Sequence, residues 1–444
     1  MENYLEKNWK KYFEELKNLV KIPSFLVTKE DYPNQYLHET LKYMENLAKA
    51  NNMKVYTNPD GYYGYIEIGQ GAEMIGLLGH LDVVAPGELE LWDTDPFELI
   101  EDGDKLIGRG SVDDKGPLLL SFYLMKEMIE NNVPLNKRIR LIYATDEESL
   151  WRGIYKYIEN GEEQPTMGWT PDCVFPPMYG EKTIYEYKLN LEEVHDFSIN
   201  GGTGSNTVSP KATYKGKKVA EVQAKMEEFG FKYKLNDDGS LSAIGVAAHA
   251  MNAAIEGENA NLRLIKAVAA VEDSKFLNFI AKYIGLETTG DTLFNGHYED
   301  ETGVITNNLG VIISTSTGFE VEMDCRVPLS TCWKDIEKEI KENCEKEGIN
   351  YKYYNILPKV YIDKNGPFIQ TLLKAYKDFS GDIDAEPIII GGGTYARSMK
   401  NIVGFGPFFN DSPDTEHQAN EYALKSDFVK AYSIYNEVFM KLLK

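Results

Sequence analysis

The sequence predicts an α/β protein: a mostly parallel, helix-covered sheet interrupted by an inserted α+β domain. Three observations lead there. Met74-Ile75-Gly76-Leu77-Leu78-Gly79 and Arg138-Ile139-Arg140-Leu141-Ile142-Tyr143-Ala144 are short apolar runs of the kind that form buried strands. Between them, Leu118 to Asn132 has the length and pattern of a helix, and strand, helix, strand implies parallel pairing through a crossover. After about Lys182 the texture changes. From Gly201-Gly202-Thr203-Gly204 onward, strand-like and helix-like pieces alternate through to Pro358, and an apolar helical pattern resumes only after Asp363.

Taken in order, Lys7 to Val20 reads as an opening amphipathic helix, with Trp9, Tyr12, Phe13, Leu16 and Leu19 at helical spacing and Pro23 ending it. The helix beginning near Leu118 is preceded by Gly116-Pro117, and proline sits well in a first helical turn. A later helix spans Phe368 to Phe379, followed by Pro387-Ile388-Ile389-Ile390 and a loop at Gly391-Gly392-Gly393. Since 444 residues exceed what one core usually fills, residues 1–182 and 361–444 are expected to form one discontinuous domain around an insertion at 183–360.

Composition marks a chain folded along its whole length: 43% hydrophobic and 12% aromatic, with 29 tyrosines. The net charge of -23 and pI near 4.8 argue against nucleic acid or an anionic membrane as partner, because both repel such a protein at long range. The opening residues show no basic region followed by an apolar core, and no stretch is long and apolar enough to span a bilayer. A cytoplasmic location is expected. Cys173, Cys325, Cys332 and Cys344 have no CxxC spacing, so neither a disulfide framework nor a thiolate metal site is indicated.

The chemistry gathers at predicted strand ends, where ligands bind in open α/β sheets. His80-Leu81-Asp82 follows the first strand, which makes His80 a candidate metal ligand and Asp82 a candidate partner for its other ring nitrogen. A hydrogen-bonded structural histidine would look the same. Gly108-Arg109-Gly110-Ser111-Val112-Asp113-Asp114-Lys115-Gly116 delivers two acids just before a helix; capping accounts for one of them. Asp146-Glu147-Glu148 follows the second strand. Three adjacent acids repel one another, a cation would relieve that, and one carboxylate would remain as a general base; a solvated loop is the plain alternative. Pro171-Asp172 and Asp414-Thr415-Glu416-His417 add an acid and an imidazole. Together His80, Asp113, Glu148, Asp172 and His417 form an oxygen and imidazole set suited to zinc or a similar ion. Five ligands serve two metals if one acid bridges them, and two ions about 3.5–4 Å apart activate water and polarise a carbonyl.

These motifs, with their order and approximate spacing, resemble the signature of the co-catalytic zinc aminoacylase/carboxypeptidase/dipeptidase superfamily. Phe175-Pro176, Tyr179-Gly180-Glu181-Lys182 and Gly391-Gly392-Gly393-Thr394-Tyr395-Ala396-Arg397 narrow the likeness to bacterial peptidase V-type dipeptidases, the carnosinase-like or Xaa-His branch. The resemblance implies a zinc-peptidase catalytic domain with an inserted lid. It further implies two Zn2+, with Mn2+ or Co2+ as substitutes: one on His80 and Asp172, the other on Glu148 and His417, with Asp113 bridging. By the same likeness Glu147 is the general base, the Asp113–Asp114 peptide is cis, and His249 of the lid helps hold the developing oxyanion. Asn206 and Arg326 match lid residues that meet the reacting centre or the substrate carboxylate, although a packed histidine and an ion pair would account for His249 and Arg326 alone. Gly391 to Thr394, including Gly392 and Gly393, is either a simple turn or an anion-binding nest for a free carboxylate.

The expected activity is hydrolysis of unblocked dipeptides. The long lid suggests a functional monomer whose enclosed site measures substrate length. The alternatives are an N-acyl-amino-acid deacylase or desuccinylase of the same superfamily, and a non-catalytic metal- or peptide-binding homologue; retention of Glu147 speaks against the last.

Overall fold

A computed structural model of the chain describes residues 2–253 and 256–443. The chain divides into two compact units, one comprising Met1–Gly180, Ile362–Ile388 and Thr394–Lys444, the other Glu181–Tyr361 and Ile389–Gly393.

The first unit is built on a six-stranded sheet in the order Lys54–Thr57, Tyr63–Gly69, Arg138–Ala144, Met74–His80, Met167–Thr170, Ile402–Gly404. The last four run parallel to one another, and Tyr63–Gly69 is antiparallel to both neighbours. Met74–His80 is buried at every residue, which is why its sequence is continuously apolar instead of alternating. Helix Lys115–Glu130 lies against Met74–His80 and Arg138–Ala144 and buries Leu118, Leu119, Phe122 and Met125. Each such side chain contributes roughly 1.5–3 kcal/mol by leaving water. Trp9–Val20 and the C-terminal helix Lys425–Leu442 pack on that helix in turn.

The helix expected over Lys7 to Val20 runs from Trp9 to Val20, and a separate short helix precedes it. Its start is displaced from Lys7 because Asn8 leaves the helical region at φ -106, ψ 12, which parts it from the preceding Tyr4–Lys7. Among the described residues no helix is long and apolar enough to cross a membrane.

The second unit is α+β. Its eight-stranded sheet, entirely antiparallel, runs Tyr233–Leu235, Leu241–Ile244, Lys211–Lys215, Ser198–Gly201, Thr306–Ser314, Gly318–Val327, Thr183–Glu192, Asn350–Leu357. Thr183–Glu192 alternates buried Tyr185, Tyr187 and Leu189 with partly exposed residues, the period-two pattern of a sheet with one covered face. Helices Val219–Glu228, Ala260–Ala269, Lys275–Tyr283 and Trp333–Glu347 supply the cover, and their apolar stripes share one core with the strands.

Candidate metal centre

Parallel pairing places three strand ends side by side. His80 closes the central strand opposite Ala144, the last residue of its neighbour, so Glu147 and Glu148 follow on one side. Met167–Thr170 pairs on the other, and Asp172 follows it. Gly79 is required here: a Cβ at that position would lie 2.4 Å from Asp114 Oδ2 and 2.9 Å from Leu118 Cδ1. The strand therefore presses directly on the acidic turn that opens helix Lys115–Glu130.

Four of the five predicted ligands form a chain of contacts, and the fifth approaches it. His80 Nε2 is 2.7 Å from Asp113 Oδ1 and 3.8 Å from Asp172 Oδ2. His417 Nε2 is 3.0 Å from Asp113 Oδ2 and 3.1 Å from Glu148 Oε2. Asp113 thus presents one oxygen to each imidazole. Its peptide bond to Asp114 is cis. His417 itself sits at φ +62, a left-handed conformation that a non-glycine residue adopts only when its surroundings hold it there.

The donor set fits a divalent cation. His80 Nδ1 lies 2.9 Å from the main-chain oxygen of Asp82, which can only accept, so Nδ1 carries a proton and Nε2 is the atom turned toward the acids. Nε2 and Asp113 Oδ1, although 2.7 Å apart, are not aligned as a hydrogen bond, and they and Glu148 Oε1 are all buried without another partner. Buried polar atoms are ordinarily satisfied. Ligand atoms of His80, Asp113 and Glu148 lie within 4.8 Å of one another, a group that can hold a metal ion.

Electrostatics carry the same sign. Burial alone would raise Asp113, but His80 and then His417 hold it well below the usual carboxylate range. Burial, then the Asp113 charge, pushes Glu148 up to about 8 and Asp172 up to about 7. Glu147 is raised well above its ordinary value by burial, with Asp172 and Glu148 adding to it and His80 opposing. His417 is lifted to about 11 by its bonds to Asp113 and Glu148. His80 is also raised, the Asp113 and then the Asp82 charge outweighing the burial that would lower it. More negative charge is concentrated here than the protein alone neutralises, so protons are retained.

Two expected contacts differ in the structure. The carboxylate of Asp82 stands 3.6 Å from His80 Nδ1, beyond hydrogen-bond range, because the main-chain carbonyl takes that place; Asp82 Oδ2 instead accepts the Glu148 N–H at 3.1 Å. The acids Asp146, Glu147 and Glu148 do not all face one another. Arg152 grips Asp146 through Nε at 2.7 Å and Nη2 at 2.8 Å, which removes it from the set.

Other residues at the centre escape a reading by motif. Asp114 occupies the N-cap position but makes no capping bond; it is buried and accepts the His80 N–H at 3.0 Å. Tyr395, fully buried, meets the His80 ring edge-on at 6.1 Å between centroids. Glu421, also buried, accepts N–H bonds from the Asp113 turn. Its position four residues after His417 was the available signal.

In the second unit, His249 Nδ1 accepts the Met251 N–H at 3.1 Å, which leaves its proton on Nε2. Loss of hydration, and then the Arg326 guanidinium, lower His249 to about 4, so it is neutral at physiological pH. The segments bearing Asn206 and His249 are joined: Ala250 N–H donates to Asn206 O at 2.8 Å, and Thr207 bridges His249. Arg326 is buried and held by Asp324 at 2.6 and 2.7 Å, with Nη1 donating to Gly391 O at 2.6 Å. The glycine loop does not use a left-handed nest. None of Gly391, Gly392 and Gly393 has such a φ, and Gly391 is required because a Cβ there would meet Met251 Cβ at 2.7 Å.

Comparison with known proteins agrees with this architecture. A Staphylococcus epidermidis protein named "Putative dipeptidase" is 33% identical over 428 residues, 91% of this chain and 90% of that protein. The yeast di-peptidase Dug1p from Saccharomyces cerevisiae shares the fold with TM-score 0.61 at 14% identity, over 99% of this chain and 97% of its own. Human carnosine dipeptidase 1 superposes with TM-score 0.60 at 15% identity and the same coverage. The family model described as Peptidase family M20/M25/M40 matches residues 76–441. The chain belongs to that peptidase family.

Proposed function

We propose that the protein is a dinuclear-metal dipeptidase acting on unblocked dipeptides. The observation that carries this reading is the meeting of His80, Asp113, Glu148 and His417 on unsatisfied or closely opposed ligand atoms, with Asp172 beside them. His80 and Asp172 would hold one cation, Glu148 and His417 the other, and Asp113 both, with Zn2+ the ion best suited to such ligands and Mn2+ or Co2+ as substitutes. When bound, the ions supply a lowered pKa for water and polarisation of the scissile carbonyl.

The protein's own groups move the protons. Glu147 takes a proton from the attacking water as the new carbon–oxygen bond forms, then delivers it to the amine nitrogen as the carbon–nitrogen bond breaks. Asp82 supports from behind, its carbonyl fixing the His80 tautomer and its carboxylate holding the Glu148 main chain. His249 is assigned as donor to the developing oxyanion, a role that its neutral state and its Nε2 proton suit. Asn206, Arg326, Gly392, Gly393 and Thr394 are assigned to the substrate. Arg326 brings a charge already shared with Asp324, so it acts more as a fixed donor than as a free cation. The length of the insertion supports a functional monomer.

The deciding assay is a panel of dipeptides, tripeptides and N-acyl amino acids, run after chelation and metal restoration. Preferential cleavage of free dipeptides is expected. Preference for acetyl- or succinyl-amino acids would make the protein a deacylase, and silence on every substrate would make it a binding homologue.

A further inference from the structure

Arg109 belongs to the turn motif, and Glu421 to the segment after His417, yet neither is needed as a ligand or proton carrier. Both are buried. Glu421 Oε2 accepts from Arg109 Nη1 at 2.5 Å. Its Oε1 accepts the N–H of Gly110 at 2.9 Å and of Val112 at 3.0 Å, with the Asp113 nitrogen 3.4 Å away. Its main-chain oxygen accepts the Gly108 N–H at 2.9 Å, extending the ladder in which Tyr422 pairs with Ile107. Thus one side chain and one carbonyl pin the whole turn from Gly108 to Asp113. The Arg109 guanidinium lies over the Trp92 ring at 5.3 Å, which fixes the clamp from behind.

The loop that carries the other partner, His417, runs directly into the same residue. The Thr415 hydroxyl donates to Tyr422 O at 2.9 Å and accepts the Tyr422 N–H at 3.2 Å, closing the loop that carries His417 immediately beside Glu421. Asn420 Oδ1 accepts the Asp93 N–H at 2.8 Å and holds the loop from outside. The turn that carries Asp113 and the loop that carries His417, whose side chains meet at 3.0 Å, therefore converge at Glu421, which clamps the turn by its side chain and the loop through its chain neighbour Tyr422. His80 and Asp172 are placed differently, by the ladder of the parallel sheet.

We propose that Glu421, braced by Arg109, is a positioning residue that sets the Asp113–His417 geometry and thereby controls cation binding at the His417–Glu148 position more than at the His80–Asp172 position. This rests on the two-cation part of the reading above and is independent of the dipeptide part. A charge-assisted clamp of this kind is worth more than neutral bonds, and groups that orient ligands typically change metal affinity by about 10–100-fold.

The test is titration of Co2+ into the metal-free protein, followed by calorimetry and visible absorption, for wild type, Glu421→Gln, Glu421→Asp and His417→Ala. Wild type should bind two ions. Both Glu421 variants should weaken one binding phase by about 10-fold or more, with the other changed little. The weakened phase should be the one that His417→Ala removes, and adding Glu421→Asp to His417→Ala should change the remaining phase no further. Two unchanged phases would overturn the proposal, as would parallel weakening of both. Glu421→Asp decides if Glu421→Gln does not fold, and failure of both to fold would overturn it in favour of a purely structural role. A wild type that binds two ions but cleaves no dipeptide would refute the function while leaving this inference standing.

Discussion

Burial, and after it the acids around it, raise Glu147 well above its ordinary value, while the His80 imidazole limits the rise. Glu147→Gln keeps the shape and loses the proton acceptor, so metal content should stay at the wild-type level while kcat falls by about 10²–10⁴-fold. Metal analysis and steady-state kinetics check this, and near-normal turnover would remove Glu147 from its role. His249→Ala should lower kcat by about 10²–10³-fold with little change in KM, the mark of a contact made only in the transition state. The gathering of His80, Asp113, Glu148, Asp172 and His417 was legible because carboxylates at successive strand ends repel one another, a cost that a cation would remove. Asp82 and Asp146 were legible as residues but not as contacts: a carbonyl took the bond expected of one carboxylate, and Arg152, six residues on, took the other. Glu421 had only its place four residues after His417 to mark it, because an isolated glutamate carries no further pattern until the turn it clamps is folded against it.

Between Met74–His80 and Lys115–Glu130 the chain leaves no room for a side chain at Gly79. Gly79→Ala should therefore push back Asp114 and Leu118, costing about 1–3 kcal/mol in denaturant unfolding. It should also weaken metal binding, because Asp114 accepts the His80 N–H. Unchanged stability and affinity would show that the contact is slack. Elements with one strong period were readable: the buried strands, the helix after the acidic turn, and the later helix Pro367–Ser380. The break at Asn8 and the close approach of Gly391 to Met251 depend on tertiary contacts that local pattern does not encode.

For the molecule as a whole, the metal-free centre stores protons. Glu148 and Asp172 keep them up to about 8 and 7, and Glu147 and Asp114 are also raised, chiefly by burial. The unfolded chain releases the same protons near pH ~4, so the folded state binds more of them and loses stability as pH rises from ~5 to ~8. His80 and His417, raised by their carboxylates, act in the same direction above pH ~6.5. Asp113, held low, acts in the opposite sense only below pH ~4. The Tm of the chelated protein should therefore fall across this interval, and the gain from added Zn2+ should grow, since the metal displaces those protons. A chelated Tm that rises over the same interval would contradict this assignment of charge.

The most direct test follows hydrolysis of an unblocked dipeptide while Zn2+ is added stepwise to the chelated protein. The rate should start near zero and reach its plateau at two equivalents, with tripeptides and N-acyl amino acids cleaved far more slowly. Hydrolysis that is indifferent to metal, or none at any stoichiometry, would contradict a dinuclear-metal dipeptidase.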